Sequence, residues 1–307
     1  MPKLKYAFLS QFKKKLTQQD LSKSTIDGYI SDLTFFFTWL ENVNEKSVNL
    51  KKISIMDLKA FRQLLANFKR QKTTSINRRV QSIKRFFTWA FSTKLIKKNP
   101  AAELRFMRRN APLKPTALTK SEVHAMLRVS GQSSHGLSKR NYAILQIMLQ
   151  AGLRVGEVAK LQYGDMTVKE RSGMVRIVDS KGPKEREVPL NATARRALLT
   201  FFKARGKIKS KDPAFPTKQE SFPTVRAIQL VVSNIARKAK IQRIKVSAHT
   251  LRHTFASNYL KSNPGGLVEL ATLMGHDSIN TTAIYTKSSK ESLAQNIERS
   301  EINVYDD

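Results

Sequence analysis

Ser247-Ala-His-Thr-Leu-Arg-His-Thr-Phe-Ala256 is followed closely by Leu273-Met-Gly-His276 and Thr281-Thr-Ala-Ile-Tyr285. At about 3.6 residues per helical turn, His249, Arg252 and His253 fall at i, i+3 and i+4, so a helix here presents all three on one face. Two imidazoles beside a guanidinium make a poor core stripe and a good anion site. Arg offers a planar fork to two phosphate oxygens, while His can donate to a third or move a proton. The tyrosine that follows the Gly-His corner is a candidate covalent nucleophile. His249 and His253 also mimic a zinc pair. The third ligand and the general-base Glu of His-Glu-x-x-His are missing, so neither a metal nor a cofactor is expected.

Composition narrows the partner. The 307 residues carry 56 Lys plus Arg against 23 Asp plus Glu, a net charge of +33. Residues up to Pro115 hold 25 basic and 7 acidic side chains, so the excess is spread along the chain and is no tail on a neutral enzyme. A polyanion partner follows, with nucleic acid ahead of an anionic membrane. No apolar run reaches membrane-spanning length, and the N-terminus lacks the apolar core of a signal peptide. With no cysteine, disulfides and thiol chemistry are excluded. The length suits two domains.

Residues 4 to 98 read as helices alone. Phe8, Phe12 and Leu16 form a short stripe. Ser24 with Asp27 suggests a capping box before Ile26, Ile30, Leu33, Phe37 and Leu40. Ser54 with Asp57 opens a third helix carrying Leu58, Phe61, Leu65 and Phe68. A fourth, from about Thr74, carries Ile76, Val80, Ile83, Phe87 and Ala90 and stops near Asn99-Pro100. Four such helices make a bundle. Phe36, Phe37, Phe86, Phe87, Trp39 and Trp89 read as core rather than as base-stacking platforms. Arg78, Arg79, Lys84 and Arg85 lie off the apolar stripe and are candidate phosphate contacts. Residues 105–117 read as a basic linker stiffened by prolines, in which Arg105, Arg108, Arg109 and Lys114 can track a nucleic-acid backbone.

Beyond the linker, Thr119 and Glu122 cap a helix, and Lys139 to Gln150 reads as a buried one. Arg154 stands where that helix gives way to a new one, with Glu157 one turn on. By itself this pair suggests a structural ion pair. Met174–Asp179 and Glu185–Leu190 form a hairpin with Lys181 and Lys184 at its tip. Helices are expected at Ala192–Lys203 and Val225–Lys240. The fold class is therefore mainly α with a small β-sheet.

Taken in order, Ala151-Gly-Leu-Arg-Val-Gly-Glu-Val-Ala-Lys-Leu161, Ser180-Lys-Gly-Pro-Lys-Glu-Arg-Glu-Val-Pro-Leu190, His249-Thr-Leu-Arg-His253, Leu273-Met-Gly-His276 and Thr281-Thr-Ala-Ile-Tyr285 resemble the tyrosine recombinases, or integrases. Ser24-Thr-Ile-Asp-Gly-Tyr-Ile-Ser-Asp-Leu33 and Ile76-Asn-Arg-Arg-Val-Gln-Ser-Ile-Lys-Arg-Phe-Phe-Thr-Trp89 are similar to their helical core-binding domain. The resemblance implies a helical DNA-binding domain (1–104), the linker, an α/β catalytic domain (118–288) and a subunit-docking tail (289–307), forming a C-shaped clamp. It implies that Arg154 and Arg252 hold the scissile phosphate, that Lys181, with Lys184 as rival, protonates the leaving 5′-oxygen, and that His249 is an acid/base. It further implies that His276 hydrogen-bonds the phosphate, that Tyr285 attacks to give a 3′-phosphotyrosyl link, and that Glu157 and His253 support the site. The implied partners are double-stranded DNA with a specific core site and further copies of the chain, two per site and four in synapsis. The implied location is the cytoplasm, on the nucleoid. Integration, excision and resolution all fit. A type IB topoisomerase-like enzyme or a non-catalytic DNA-binding module are the competing readings. Asn263-Pro-Gly-Gly266 is a longer, prolyl version of the turn usual before the Gly-His helix. Tyr259 and Tyr305 lack the Gly-His spacing.

Overall fold

Amphipathic stripes that alternate spacings of four and three account for most of the N-terminal architecture. The computed structural model describes residues 5–108, 116–131, 136–178, 185–275 and 279–282. The chain divides into two compact units, Met1–Pro112 and Leu113–Asp307.

The first unit contains α1 (Ala7–Thr17), α2 (Lys23–Asn44), α3 (Ile55–Gln63) and α4 (Thr73–Ser92). Every apolar residue named for α2 and α4 is buried. Phe12, Phe36, Phe37, Phe61, Phe86 and Phe87 are each at most 1% exposed and interlock edge to face, as in Phe37–Phe86 at 5.3 Å. Each such side chain contributes about 2–3 kcal/mol of burial. Trp39 and Trp89 pack against this core from its margin.

Two expectations change here. The cap of α2 is Ser22, whose hydroxyl accepts from the Thr25 amide, and not Ser24. Asp27 instead reaches Lys13 across the α1–α2 corner at 3.6 Å. Phe68 is 83% exposed, although it continues the stripe of Leu58, Phe61 and Leu65. The reason is a π-helical turn over Leu64–Phe68, closed by the Lys69 amide on the Leu64 carbonyl. A wider turn rotates less per residue, so the position three after Leu65 no longer returns to the core face. The capping box of Ser54 and Asp57 forms as expected, with the Ser54 amide donating to Asp57 Oδ2 at 2.8 Å.

The second unit has α5 (Lys120–Gly131), α6 (Gly136–Gln150), α7 (Val155–Lys160), β1 (Met166–Val168), β2 (Gly173–Val178), β3 (Glu185–Pro189), α8 (Ala192–Arg205), α9 (Val225–Lys238), α10 (Ala248–Ser262), α11 (Leu267–Met274) and α12 (Ile279–Thr282). Helix α6 supplies the centre of the core with Ile144, Leu145, Ile147 and Met148. The three strands form an antiparallel sheet in the order β1-β2-β3. Val175 pairs with Val188 and Ile177 with Arg186, so the buried face of the sheet meets the helices. Strand β1 is only three residues long, too short to give a periodic signal in the sequence. Thr119 and Glu122 cap α5 reciprocally. Among the described residues, no helix is long and apolar enough to cross a membrane.

Candidate active site

The His-Arg-His helix begins where Ser247 accepts from the Thr250 amide and Thr250 accepts from the Ser247 amide. This reciprocal cap sets the start of α10 and thereby the face that carries His249, Arg252 and His253. The two imidazoles lie edge to face at 4.3 Å. They line, with Lys245, Ser247, Thr250 and Thr116, an open pocket of about 420 Å³. Arg252 is only 3% exposed. Its guanidinium donates to the Gly152 carbonyl at 2.6 Å and to the Met274 carbonyl at 2.6 Å. His249 stays accessible at its surface, yet partial burial of the ring, then the charges of Arg252 and Arg154, lower its pKa. It is therefore neutral at neutral pH and able to accept a proton.

Arg154 approaches from the start of α7. Gly152, in the left-handed region at φ +64°, turns the chain out of α6, and an added Cβ there would collide with the Phe255 ring. Arg154 donates to Glu157 Oε1 at 2.9 Å and to the Gly275 carbonyl at 2.5 Å. Glu157 also accepts from the Arg154 amide at 2.7 Å, which caps α7. The structural and functional readings of Arg154 are thus compatible: one edge of the guanidinium is held, and the side chain remains 42% exposed. Glu157 supports Arg154 directly. His253 packs its ring on His249.

Sequence reasoning missed Arg186. From β3 it grips Glu157 with both terminal nitrogens, at 3.0 and 2.8 Å, and donates Nε–H to the Leu273 carbonyl at 2.9 Å. Burial alone would raise the Glu157 carboxyl. The Arg186 fork, followed by the Arg154 amide and side chain, outweighs that and holds its pKa below the usual carboxylate range. A signal was available, because strand alternation puts Arg186 on the same face as Val188 and therefore inward. Arg154, Arg186 and Arg252 against one Glu157 leave this cluster net positive. Such a preorganised field suits the charge that builds on a phosphodiester as it is attacked.

The prolyl turn at 263–266 does not displace α11 from Arg252, whose contact with Met274 spans the gap. Tyr259 packs beside Phe255 within α10. Lys181, Lys184, His276, Tyr285, Arg109, Lys114, Tyr305 and the segment 289–307 lie outside the described residues.

The candidate phosphate contacts of the first unit have internal partners. Asp32, 3% exposed, receives Arg78 through two nitrogens at 2.5 and 2.6 Å, Arg79 at 3.4 Å and the Ser82 hydroxyl at 2.8 Å. Arg85 donates to Gln19 at 2.7 Å. Lys84 gives its ammonium to the carbonyls of Ala101, Ala102 and Leu104 at 3.0–3.1 Å. All three of its donors are thus engaged on the turn that follows α4. Arg105 and Arg108 are exposed. Asn77 holds the segment between them by exchanging two hydrogen bonds with the Met107 backbone, at 2.9 and 2.8 Å.

Residues 116–292 match the phage integrase family and residues 9–94 match the phage integrase N-terminal SAM-like domain. The tyrosine recombinase XerD of Ralstonia nicotianae is 30% identical over 280 residues, covering 90% of this chain and 87% of the relative. The tyrosine recombinase XerC of Pediococcus pentosaceus is 28% identical over 294 residues, covering 94% and 95%. Among solved structures, the XerH site-specific recombinase bound to its difH substrate superposes with a TM-score of 0.71 at 22% identity, covering 95% and 84%. The Tn1549 transposon integrase bound to transposon right-end DNA superposes with a TM-score of 0.74 at 20% identity, covering 95% and 99%. The chain belongs to the phage integrase family. It is a tyrosine-type site-specific recombinase.

Proposed function

We propose that Tyr285 breaks and rejoins DNA at a phosphate held by Arg154 and Arg252. The observation that carries this reading is the convergence of these two arginines, one from the α6–α7 junction and one from α10, beside a neutral His249. The Tyr285 hydroxyl attacks phosphorus, forming the tyrosyl–phosphate bond as the bond to the 5′-oxygen breaks. His249 takes the phenolic proton, Lys181 supplies one to the leaving 5′-oxygen, and His276 donates to the phosphate. A phenol with an ordinary pKa near 10 needs such help at neutral pH. The phosphotyrosyl ester conserves the energy of the broken bond, so a second 5′-hydroxyl reverses the attack without ATP.

The partner is double-stranded DNA bearing a core site, bound by residues 1–104, by the basic stretch 105–117 and by residues 118–288. Further copies of the chain complete a dimer on each site and a tetramer in synapsis, joined through 289–307. The relatives are named tyrosine recombinases and the solved neighbours are complexes with DNA, which supports this partner. Its action on intracellular DNA puts the protein in the cytoplasm.

The test presents the full chain with a pool of nicked duplexes of randomised sequence and recovers detergent-resistant adducts. Wild type is expected to yield an adduct mapped to Tyr285 on a shared DNA sequence. Tyr285→Phe should bind the recovered duplex with unchanged affinity and form no adduct. An adduct persisting in that variant would sink the assignment. Strand exchange between two duplexes carrying the recovered sequence separates recombination from topoisomerase-like relaxation.

A further inference from the structure

Three arginines from three elements hold three consecutive carbonyls at the end of one helix. Arg186 of β3 takes Leu273, Arg252 of α10 takes Met274 and Arg154 at the start of α7 takes Gly275. The end of a helix leaves its last carbonyls without helical donors and carries partial negative charge, so cations gather there. Two of these arginines are the proposed phosphate ligands. The third differs from them in its surroundings. Arg186 has a side chain only 14% exposed, with all three guanidinium nitrogens engaged, two on Glu157 and one on Leu273.

We propose that Arg186 is a positioning residue for DNA cleavage, locking the β2–β3 hairpin, Glu157 and the end of α11 into one rigid frame that aims Arg154. The inference rests on the recombinase site proposed above. The chain of contact is short. Arg186 fixes both oxygens of Glu157, Oε1 of Glu157 fixes one terminal nitrogen of Arg154, and the Gly275 carbonyl fixes the other. Removing Arg186 frees the Glu157 carboxylate to rotate and loosens α11 at Leu273, so both supports of Arg154 slacken together. The same residue follows Lys181 and Lys184 closely in the chain, and it lies beside Gly275, which precedes His276. Gly275 accommodates it closely: at φ +61°, an added Cβ would stand 2.8 Å from an Arg186 nitrogen. Lysine cannot replace this fork, because a single ammonium cannot span two carboxylate oxygens and a carbonyl in three fixed directions.

The experiment uses the full-length wild type, Arg186→Gln and Arg186→Lys with the nicked duplex recovered by the wild-type chain. Duplex affinity, single-turnover adduct rate and thermal unfolding are measured together. Arg186→Gln is expected to keep duplex affinity within about threefold and lose on the order of 100-fold in adduct rate, the size expected when a reacting group is misplaced by about an ångström. Arg186→Lys, which keeps the charge and protects against loss of folding, should lose about tenfold. A second readout separates positioning from mere support of the fold. Glu157 is faced by Arg154 and Arg186; without Arg186 its carboxyl titrates higher, so the adduct rate of Arg186→Gln should fall more steeply on acidification than the wild-type rate, whose acid limb belongs to His249 alone. Wild-type adduct rates in both variants, or rates that fall only with the folded fraction and with an unchanged pH profile, would overturn the inference while leaving the recombinase reading intact. No adduct from wild type would overturn both.

Discussion

Each unit of this protein builds a cluster around one carboxylate and two arginines, and the two clusters are put to different uses. Asp32 in the first unit is almost wholly buried and binds Arg78, Arg79 and Ser82, all from α4. Its contacts tie α2 to α4 and end there. Glu157 binds Arg154 and Arg186, whose other hands reach the carbonyls at the end of α11. In the first cluster the carboxylate is the hub and the arginines satisfy it. In the second the carboxylate is a splint, shared by two arginines that are each anchored also at the end of α11. The same ion-pair chemistry therefore ties two helices together in one place and, on the function proposed above, prepares a ligand grip in the other.

Perturbing the two hubs tests this contrast. The largest effect is expected for Arg154→Ala, which should lower single-turnover adduct formation by on the order of a thousandfold with little loss of thermal stability, as removal of one preorganised charge donor does. If Arg154 is instead only a helix-start ion pair, melting temperature will fall and the rate per folded molecule will not. Asp32→Asn should do the reverse. It leaves Arg79 and the Ser82 hydroxyl without a buried carboxylate and should cost about 3 kcal/mol of first-unit stability by urea unfolding. An unchanged midpoint would show that Asp32 is dispensable to the bundle.

The pH profile sharpens the second cluster. Because the His249 pKa is lowered by burial and by the charges of Arg252 and Arg154, its neutral form persists below the ordinary imidazole value of about 6.5. The adduct rate should therefore fall with decreasing pH only below that value, and His249→Asn should remove this acid limb while slowing the reaction by about 100-fold. An acid limb retained in His249→Asn would assign it to another group. The smallest effect is expected for Phe68→Ser. Since the π turn has already put this side chain in water, the change should stay within about 0.5 kcal/mol by urea unfolding. A loss of several kcal/mol would return Phe68 to the core.

Much of the first unit is legible because its signals are local. The 3.6-residue stripes of α2 and α4, and the Ser54–Asp57 box, are written within a few residues of the structure they specify. Ser22 and Ser24 are harder to separate, because serines two apart both present plausible caps and only backbone geometry chooses between them. Phe68 misleads because periodicity assumes a constant rotation per residue, which a π turn breaks. In the second unit, helical spacing alone puts His249, Arg252 and His253 together on one face of α10. The convergence of Arg154 on that face needs the family resemblance, since nothing local in Leu153-Arg-Val-Gly points to α10. Arg186 escapes notice because its partners, Glu157 and Leu273, lie far away in the chain on opposite sides of it. Alternation along β3 shows that it faces inward but not what it meets there.

The clamp on the end of α11 changes how the turn before that helix should be regarded. A helix positioned by the segment leading into it must inherit every change in that segment's length. Helix α11 is moored at its far end instead, by Arg186, Arg252 and Arg154 on three successive carbonyls. The Asn263-Pro-Gly-Gly266 turn then behaves as slack in a tether, and lengthening such a connection costs little, growing only with the logarithm of its length. The turn here carries a proline and two glycines, and the Met274 carbonyl still meets Arg252 at 2.6 Å. Changes in the turn therefore need not disturb the three arginine contacts that hold the end of α11.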